Sequence, residues 1–347
     1  MRLLIVTQAL DLDDPLLGAY HGWVEALAKE VDHTEAVCLK EGRHSLPSNV
    51  NVHSLGKEKG TSSSLLYVWR FLTLAWKLRT SYDAVFVHMN QEYVLIAGPL
   101  WKLLGKKVFM WRNHYAGSFL TDLAAGFCTN VFCTSQYSYT AKFKKTVYMP
   151  VGVHTERFKD AGTFVRVPRS ILFFSRIAPS KHAELLIEAL HLLTKRSVVF
   201  TASIVGSAPP EFKDYAASLE DMVRRYALED VVTFVPGIPN EQAPKVYQSH
   251  ELFVNCSPSG MLDKMIFEAA ASGCLILTES KDLQRMGFGD VTYESGDPVS
   301  LANHIENLLN LQENRRTEIL NRLSVLVTQN SLSGLAKKLA EHMRQTL

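Results

Sequence analysis

Cysteine is scarce. There are five in 347 residues, and no two form a C-x-x-C pair. A scattered, odd-numbered set (Cys38, Cys128, Cys133, Cys256 and Cys274) argues against a disulfide framework and against a structural zinc site, and reduced thiols in a cytoplasmic protein are the expectation. No apolar run reaches 18 residues, so no helix is expected to span a bilayer. Neither sign of charge dominates: 37 Lys and Arg stand against 35 Asp and Glu. That balance argues against a dedicated nucleic-acid binder. The first strand is not followed by G-x-G-x-x-G and there is no P-loop lysine motif, which disfavours a dinucleotide dehydrogenase. Sequence repeats and low-complexity tracts are absent as well.

What remains is ordinary globular material, 47% hydrophobic and 21% charged, long enough for two domains with real cores. The opening MRLLIVTQALDLDD has an apolar run of only four residues before acid intervenes, so it is expected to be a buried strand and not a leader peptide. Short apolar runs then alternate with segments of helical period. Strands are predicted over 3–7, 34–39, 84–88 and 107–111, and helices over 18–31, 65–79 and 92–104; segments 116–126, 131–134, 136–143 and 146–149 continue the alternation. Residues 153–169 carry charge, Gly162 and Pro168 but no apolar stripe, and are expected to connect two domains. Alternation restarts with strands at 170–175, 198–205, 231–235, 252–255 and 275–278, separated by helices at 183–193, 212–226, 241–249 and 264–272. A helix at 301–311 and a charged tail helix near 313–344 follow. This pattern predicts two doubly wound α/β domains, 1–152 and 170–327, with 328–347 as a terminal helix. Such folds bind ligands beyond the carboxyl ends of their strands, and a second domain creates a cleft there.

Residues 1–150 hold 16 basic and 12 acidic residues. Within them, 65–78 (LLYVWRFLTLAWKL) and 101–107 (WKLLGKK) mix aromatics with cations. They fit either a sheet-covering helix or an interfacial surface against an anionic membrane.

Three glycine turns follow strands: 16–22 (LLGAYHG), 205–210 (VGSAPP) and 257–264 (SPSGMLDK). A glycine turn lets phosphate approach backbone N–H groups at a helix start, although tight packing explains such turns equally well. Arg176 follows a strand directly, and Lys181 stands at the mouth of the next helix. Cations at a helix N-terminus oppose its dipole and make sense if they meet an anion such as a diphosphate. Glu268 lies among small apolar residues in MIFEAAASG, where a ribose diol would suit a carboxylate. Asp11-Leu12-Asp13 has the spelling of a metal motif but is expected to be a solvated loop.

These segments resemble the GT-B glycosyltransferases of retaining family 4. SRIAPSKHAELLIEAL is similar to that family's G-R-x-x-x-x-K-G stretch, with Ser175 and His182 replacing two glycines. The resemblance implies that Arg176 and Lys181 hold a donor diphosphate. IVGSAPP matches a glycine turn with Gly206. In VVTFVPGIPNEQAPKVYQSHELFVNCS, Gly237 and Ile238 fall where a backbone holds the nucleotide base, and Ser257 matches the serine of P-S. EAAASGCLIL places Glu268 on the ribose. In the first half, Gly18 matches one glycine of a G-G turn, and WRNHYAG places His114 near the transferred sugar. Tyr20, His21 and Tyr115 are candidates for the acceptor side. One departure stands out. The family pattern E-x7-E would put a glutamate at Gly260. The loop Gly260, Met261, Leu262, Asp263 and Lys264 would then bind the donor sugar through backbone N–H groups or through Asp263 and Lys264, although Asp263 also reads as a helix cap.

The resemblance therefore implies a GT-B enzyme whose last helix, 328–347, crosses back toward the first domain. It would transfer a sugar with retention from a nucleotide sugar, UDP- or GDP-linked, to a hydroxyl acceptor in glycan or lipid-linked glycan synthesis. No resident cofactor or metal is implied, and the location would be cytoplasmic or peripheral on the membrane. A catalytically silent nucleotide-sugar-binding partner protein and a GT-B epimerase are the alternatives.

Overall fold

A computed structural model describes residues 1–14, 17–60, 63–159, 165–260 and 262–347. Two compact units emerge. One comprises 1–152 together with 332–347, and the other 153–331.

The first unit is built on seven strands, β1 (Arg2–Leu10), β2 (His33–Glu41), β3 (Val50–Ser54), β4 (Ala84–His88), β5 (Lys107–Trp111), β6 (Asn130–Cys133) and β7 (Thr146–Tyr148). All pair in parallel, in the order β3-β2-β1-β4-β5-β6-β7. Its helices are α1 (Ala19–Ala28), α2 (Ser64–Lys77), α3 (Gln91–Leu103) and α4 (Phe119–Phe127). Alternate strand residues face opposite ways. Leu3, Ile5, Ala84 and Phe86 join Trp23, Val24 and Leu27 of α1 on one face. Leu4, Val6, Val85 and Val87 join Phe71, Val94, Trp101 and Ala124 on the other. Burial on both faces explains why these strands are nearly continuous apolar runs.

The second unit has β8 (Ser170–Phe174), β9 (Thr201–Val205), β10 (Val232–Val235), β11 (Leu252–Asn255) and β12 (Leu275–Thr278), again all parallel, in the order β10-β9-β8-β11-β12. Around it lie α5 (Thr155–Phe158), α6 (Ala183–Lys195), α7 (Lys213–Arg225), α8 (Ala243–Ser249), α9 (Lys264–Ala271), α10 (Lys281–Arg285), α11 (Pro298–Leu309) and α12 (Glu313–Gln329). Helix α6 packs on α7 and α11, and α9 packs on α5, α8 and α12. The buried Glu251 carboxylate accepts the Arg169 backbone N–H and pairs with Arg316, tying α12 to the edge where β8 and β11 begin.

Several expectations need correction. Strand β3 was not anticipated; it pairs with β2 alone and is half-exposed, so it carries no apolar run. Short α10 was also missed. The stretch 136–143 holds only a 3-10 turn, Tyr139–Lys142. The predicted strand 198–205 begins at Thr201. The tail is two helices and not one: α12 ends at Gln329, and α13 (Leu332–Thr346) buries Leu335, Leu339 and Met343 against the first unit's core. Residues 153–159 and 165–169 group with the second unit, where Phe158 packs on Tyr247 and Arg166 donates to the His250 and Ser272 carbonyls. Gly162 lies outside the described residues. All five cysteines are buried. Among the described residues, no helix is long and apolar enough to cross a membrane.

His88 ends β4 fully enclosed, against Tyr20 at 4.4 Å and Trp23 at 4.9 Å between ring centroids. Its Nε2 has no hydrogen-bond partner among the described residues, and burial pushes its pKa down to about 3. An unfolded imidazole takes up its proton near pH 6.5. Between those values the unfolded chain binds more protons, so stability rises with pH across this window and is lost as pH falls below about 6.5. From pH 7 to pH 5 this one group should cost about 2 kcal/mol. His88→Leu should flatten the pH dependence of urea unfolding by that amount; an unchanged slope would mean the native imidazole titrates normally.

Candidate functional site

The second sheet changes winding direction between β8 and β11, where doubly wound sheets open at their carboxyl ends. The turns leaving those two strands hold the predicted residues Arg176, Lys181, Ser257, Gly260, Leu262 and Asp263. Arg176 follows β8 and is exposed, with no ion pair among the described residues. Lys181 is nearly buried. Its Nζ donates to Asp263 Oδ2 at 2.7 Å and to Ser257 Oγ at 3.0 Å. Ser257 Oγ also lies 3.4 Å from Asp263 Oδ2, and Asn255 Nδ2 lies 3.5 Å from the same oxygen. The other carboxylate oxygen of Asp263 accepts the Met265 N–H and caps α9. Burial alone would raise the Asp263 carboxyl, but the Lys181 ammonium outweighs it and holds the group below the usual carboxylate range.

Two predicted residues of α9 also meet. Lys264 Nζ lies 3.4 Å from Glu268 Oε1, one helical turn on. Glu268 is buried, and its second oxygen faces the Tyr247 hydroxyl at 3.4 Å. An i,i+4 partner thus accounts for a lysine set against the helix dipole, which the sequence alone left to a phosphate or a sugar.

The glycine turns of this unit are closely stacked. At Gly206 a Cβ would lie 1.8 Å from the Ser175 carbonyl oxygen, so no larger residue fits. The exposed Gly237 N–H donates to Ser207 Oγ at 2.9 Å, and Ile238 beside it is half-buried. The Ile177 N–H bonds to the Ser207 carbonyl. Turns after β8, β9 and β10 are therefore hydrogen-bonded side by side. His182, where the resemblance expects glycine, holds φ +51°, a left-handed conformation that glycine adopts more readily. Gly260 is buried with φ +101°, and Leu262 is buried; Met261 lies outside the described residues. Ser259 Oγ donates to the Glu279 carbonyl and accepts the Lys281 N–H, fastening this loop to the turn after β12. A polar pocket of about 400 Å³ lies alongside, lined in part by Glu279, Lys281, Tyr293 and His304. Burial raises the Glu279 carboxyl. Neither the pocket nor Glu279 was anticipated, because its residues come from separate turns with no shared spacing.

In the first unit the predicted residues are more dispersed. Gly18 is explained by packing: a Cβ would meet the Asp14 carbonyl at 2.7 Å. Nor are the first N–H groups of α1 open, since those of Tyr20 and His21 bond to the Leu17 and Gly18 carbonyls. His21 is buried, its Nε2 accepts the Ser45 N–H, and burial lowers its pKa; this is a structural post and not an exposed acceptor contact. Tyr20 packs on His88. His114 Nδ1 accepts the Ala116 N–H at 2.9 Å, and its ring stacks on the exposed Tyr115. The Asp11–Asp13 segment is held by cations, Lys40 on Asp11 and Arg43 on Asp13. Among the described residues, no group of three or more His, Cys, Asp or Glu is placed to hold a metal ion.

Two parallel α/β units with this strand order are the GT-B fold. Residues 168–311 match the family model described as glycosyl transferases group 1. Over 176 residues the chain is 28% identical to the GtfA subunit of a UDP-N-acetylglucosamine–peptide N-acetylglucosaminyltransferase from Streptococcus parasanguinis. That match covers 48% of this chain and 33% of the relative, so the chain spans about a third of the curated protein it matches. Along its whole length the fold is similar to that of Anabaena Alr3699/HepE, solved with UDP (TM-score 0.79, 18% identity, 99% and 100% of the two chains). It is also similar to sucrose-phosphate synthase from Thermosynechococcus elongatus (TM-score 0.78, 16% identity, 99% of each).

The φ of Gly260 generates a test of the departure at that position. Gly260→Glu, which places a glutamate where the resemblance expects one, should destabilise the protein by about 1–3 kcal/mol, because an L-residue is strained there. Urea unfolding measures it; wild-type stability would show that the loop accepts a side chain without strain.

Proposed function

We propose that the chain is a glycosyltransferase that takes a sugar from a nucleoside-diphosphate donor and passes it to a hydroxyl acceptor with retention. The observation that carries this reading is the junction of Lys181, Ser257 and Asp263. It unites, at the switch point of the second sheet, two turns that sequence reasoning selected separately for diphosphate and sugar. The family-model match spans both turns, and the ligands named for HepE make UDP-sugars the first donors to try.

In this reading Arg176 and Lys181 face the diphosphate, Gly206, Gly237 and Ile238 lie along the nucleotide, and Glu268 binds the ribose. Ser257 and the backbone of the loop that begins at Gly260 orient the sugar, while Asp263 and Lys264 are held by Lys181 and Glu268. His114 lies toward the transferred sugar, and Tyr20 and Tyr115 serve the acceptor. The acceptor oxygen attacks the anomeric carbon on the face that the nucleotide leaves. The bond from that carbon to the diphosphate oxygen breaks, and a diphosphate oxygen takes the acceptor's proton. Cations beside the leaving group stabilise the charge that grows there.

The test is a screen of UDP-, GDP-, ADP- and dTDP-sugars for thermal stabilisation and for sugar release. With the donor that responds, Arg176→Ala and Lys181→Ala should each lower kcat/KM by roughly 100-fold or more. Rates equal to wild type in both would remove the cations from the reaction, and binding without turnover would favour a silent partner protein.

We also propose that the acceptor is presented at an anionic membrane surface. Helix α2 turns Phe71 and Ala75 inward but leaves Leu65 82%, Trp69 64% and Trp76 49% exposed, with the Arg79 guanidinium stacked 4.3 Å over Trp76. Leu103 at the end of α3 and Phe119 on α4 are exposed as well. Lys77 and Lys102 supply charge at the ends of α2 and α3. Trp101, expected on this surface, is instead fully buried and donates to the Tyr82 hydroxyl. Exposed tryptophans beside cations suit a headgroup region. Co-sedimentation with phosphatidylglycerol vesicles should exceed that with phosphatidylcholine, fall with salt, and drop several-fold in Trp69→Ser/Trp76→Ser. Background sedimentation on both lipids would point to a soluble acceptor.

A further inference from the structure

Asp263 occupies the position from which an anion would approach Lys181. Its carboxylate lies 2.7 Å from Nζ, and Ser257 Oγ takes a second N–H, which among the described residues leaves one of the three ammonium donors. A phosphate oxygen bonded to that last donor would sit within about 5 Å of Asp263 Oδ2, given tetrahedral nitrogen and ordinary hydrogen-bond lengths. Both side chains are close to 12% exposed, so water screens this contact poorly.

We infer that Asp263 is an internal rival of the donor's diphosphate for the Lys181 ammonium, a negative charge built into the site that weakens nucleotide binding. The inference rests on the nucleotide-sugar reading and assigns Asp263 a positioning role within it. Asp263 is not free to grip sugar hydroxyls, because one oxygen caps α9 and the other is taken by Lys181, with Ser257 and Asn255 at longer range. What it does is hold the ammonium at a fixed point and offset its charge. The repulsion falls harder on product than on donor. Transfer of the sugar leaves the terminal phosphate with an extra ionisable oxygen, whose second ionisation lies near pH 6. Asp263 therefore favours departure of the nucleoside diphosphate after transfer.

The test is calorimetric titration of the full chain with UDP, with GDP and with inorganic pyrophosphate. Asp263→Asn and Asp263→Ser both keep a capping residue and remove the charge. UDP should bind roughly tenfold more tightly to each variant than to wild type. Pyrophosphate should follow the same order, since the rivalry concerns the diphosphate alone. In turnover, KM for the donor should fall while kcat falls too, with stronger inhibition by UDP; a purely structural Asp263 would raise KM and loosen UDP instead. If wild type binds and folded variants bind no more tightly, the rivalry is wrong and the nucleotide reading stands. If wild type and both variants bind none of the probes, both are overturned. Failure of both variants to fold would make Asp263 a fold determinant and would also overturn the inference.

Discussion

An ammonium with little access to water keeps its charge only beside a fixed partner, and its partner keeps its own charge only beside it. Lys181 and Asp263 satisfy that condition for each other across 2.7 Å. Their pairing does more than balance charge, because they belong to different turns. Lys181 belongs to the turn after β8, and Asp263 starts the helix after β11. These strands are neighbours in the sheet but 82 residues apart in the chain. Glu268 rides on the helix that Asp263 caps, so the position of that carboxylate follows from the same pair. The neighbouring turns are fixed in their turn by backbone contacts too close for any side chain at Gly206. The candidate site is thus a set of turns locked to one another, with the Lys181–Asp263 ion pair joining its two halves.

Much of the fold was legible because both sheets are parallel and covered on both faces. Such strands must be continuous apolar runs, and the helices between them must carry one apolar stripe. Where those conditions lapse, the sequence is silent. Strand β3 is an edge strand with Val50 and Val52 only partly covered, and its alternation is too weak to separate from a loop. The tail's helical period runs through the break between α12 and α13, because the break comes from a change of packing partner and not from a proline or glycine. Asn330 and Ser331 carry it, with Ser331 bridging to Val153.

The site was legible in residue type more than in role. Arg176, Lys181 and Glu268 could be singled out because cations at a helix start, or a carboxylate among alanines, are locally anomalous; Ser257 entered through the resemblance alone. Sequence spacing cannot say which anion a cation meets, and here Lys181 and Lys264 meet carboxylates of the chain itself. Gly18 and His21 show the opposite case. Both lie in a turn of the right composition, and both are accounted for by packing and by a backbone hydrogen bond. His88 was passed over because a histidine closing an apolar strand looks like any polar strand end; only its enclosure, with no hydrogen-bond partner for Nε2 among the described residues, makes it unusual.

The loop after β11 brings these strands of argument together. A glutamate at position 260 would need a backbone that L-residues accept, and φ +101° is not one. With glycine there, the chain turns sharply. Ser259 ties it to the turn after β12, and Asp263 arrives opposite Lys181. The Asp263 charge sits at a helix cap, where it is bound to the chain's own lysine. A charge held in that way cannot reach out to a sugar. It can set how strongly the neighbouring cation holds phosphate. The rivalry proposed for Lys181 thus follows from the sharp turn that glycine at 260 permits.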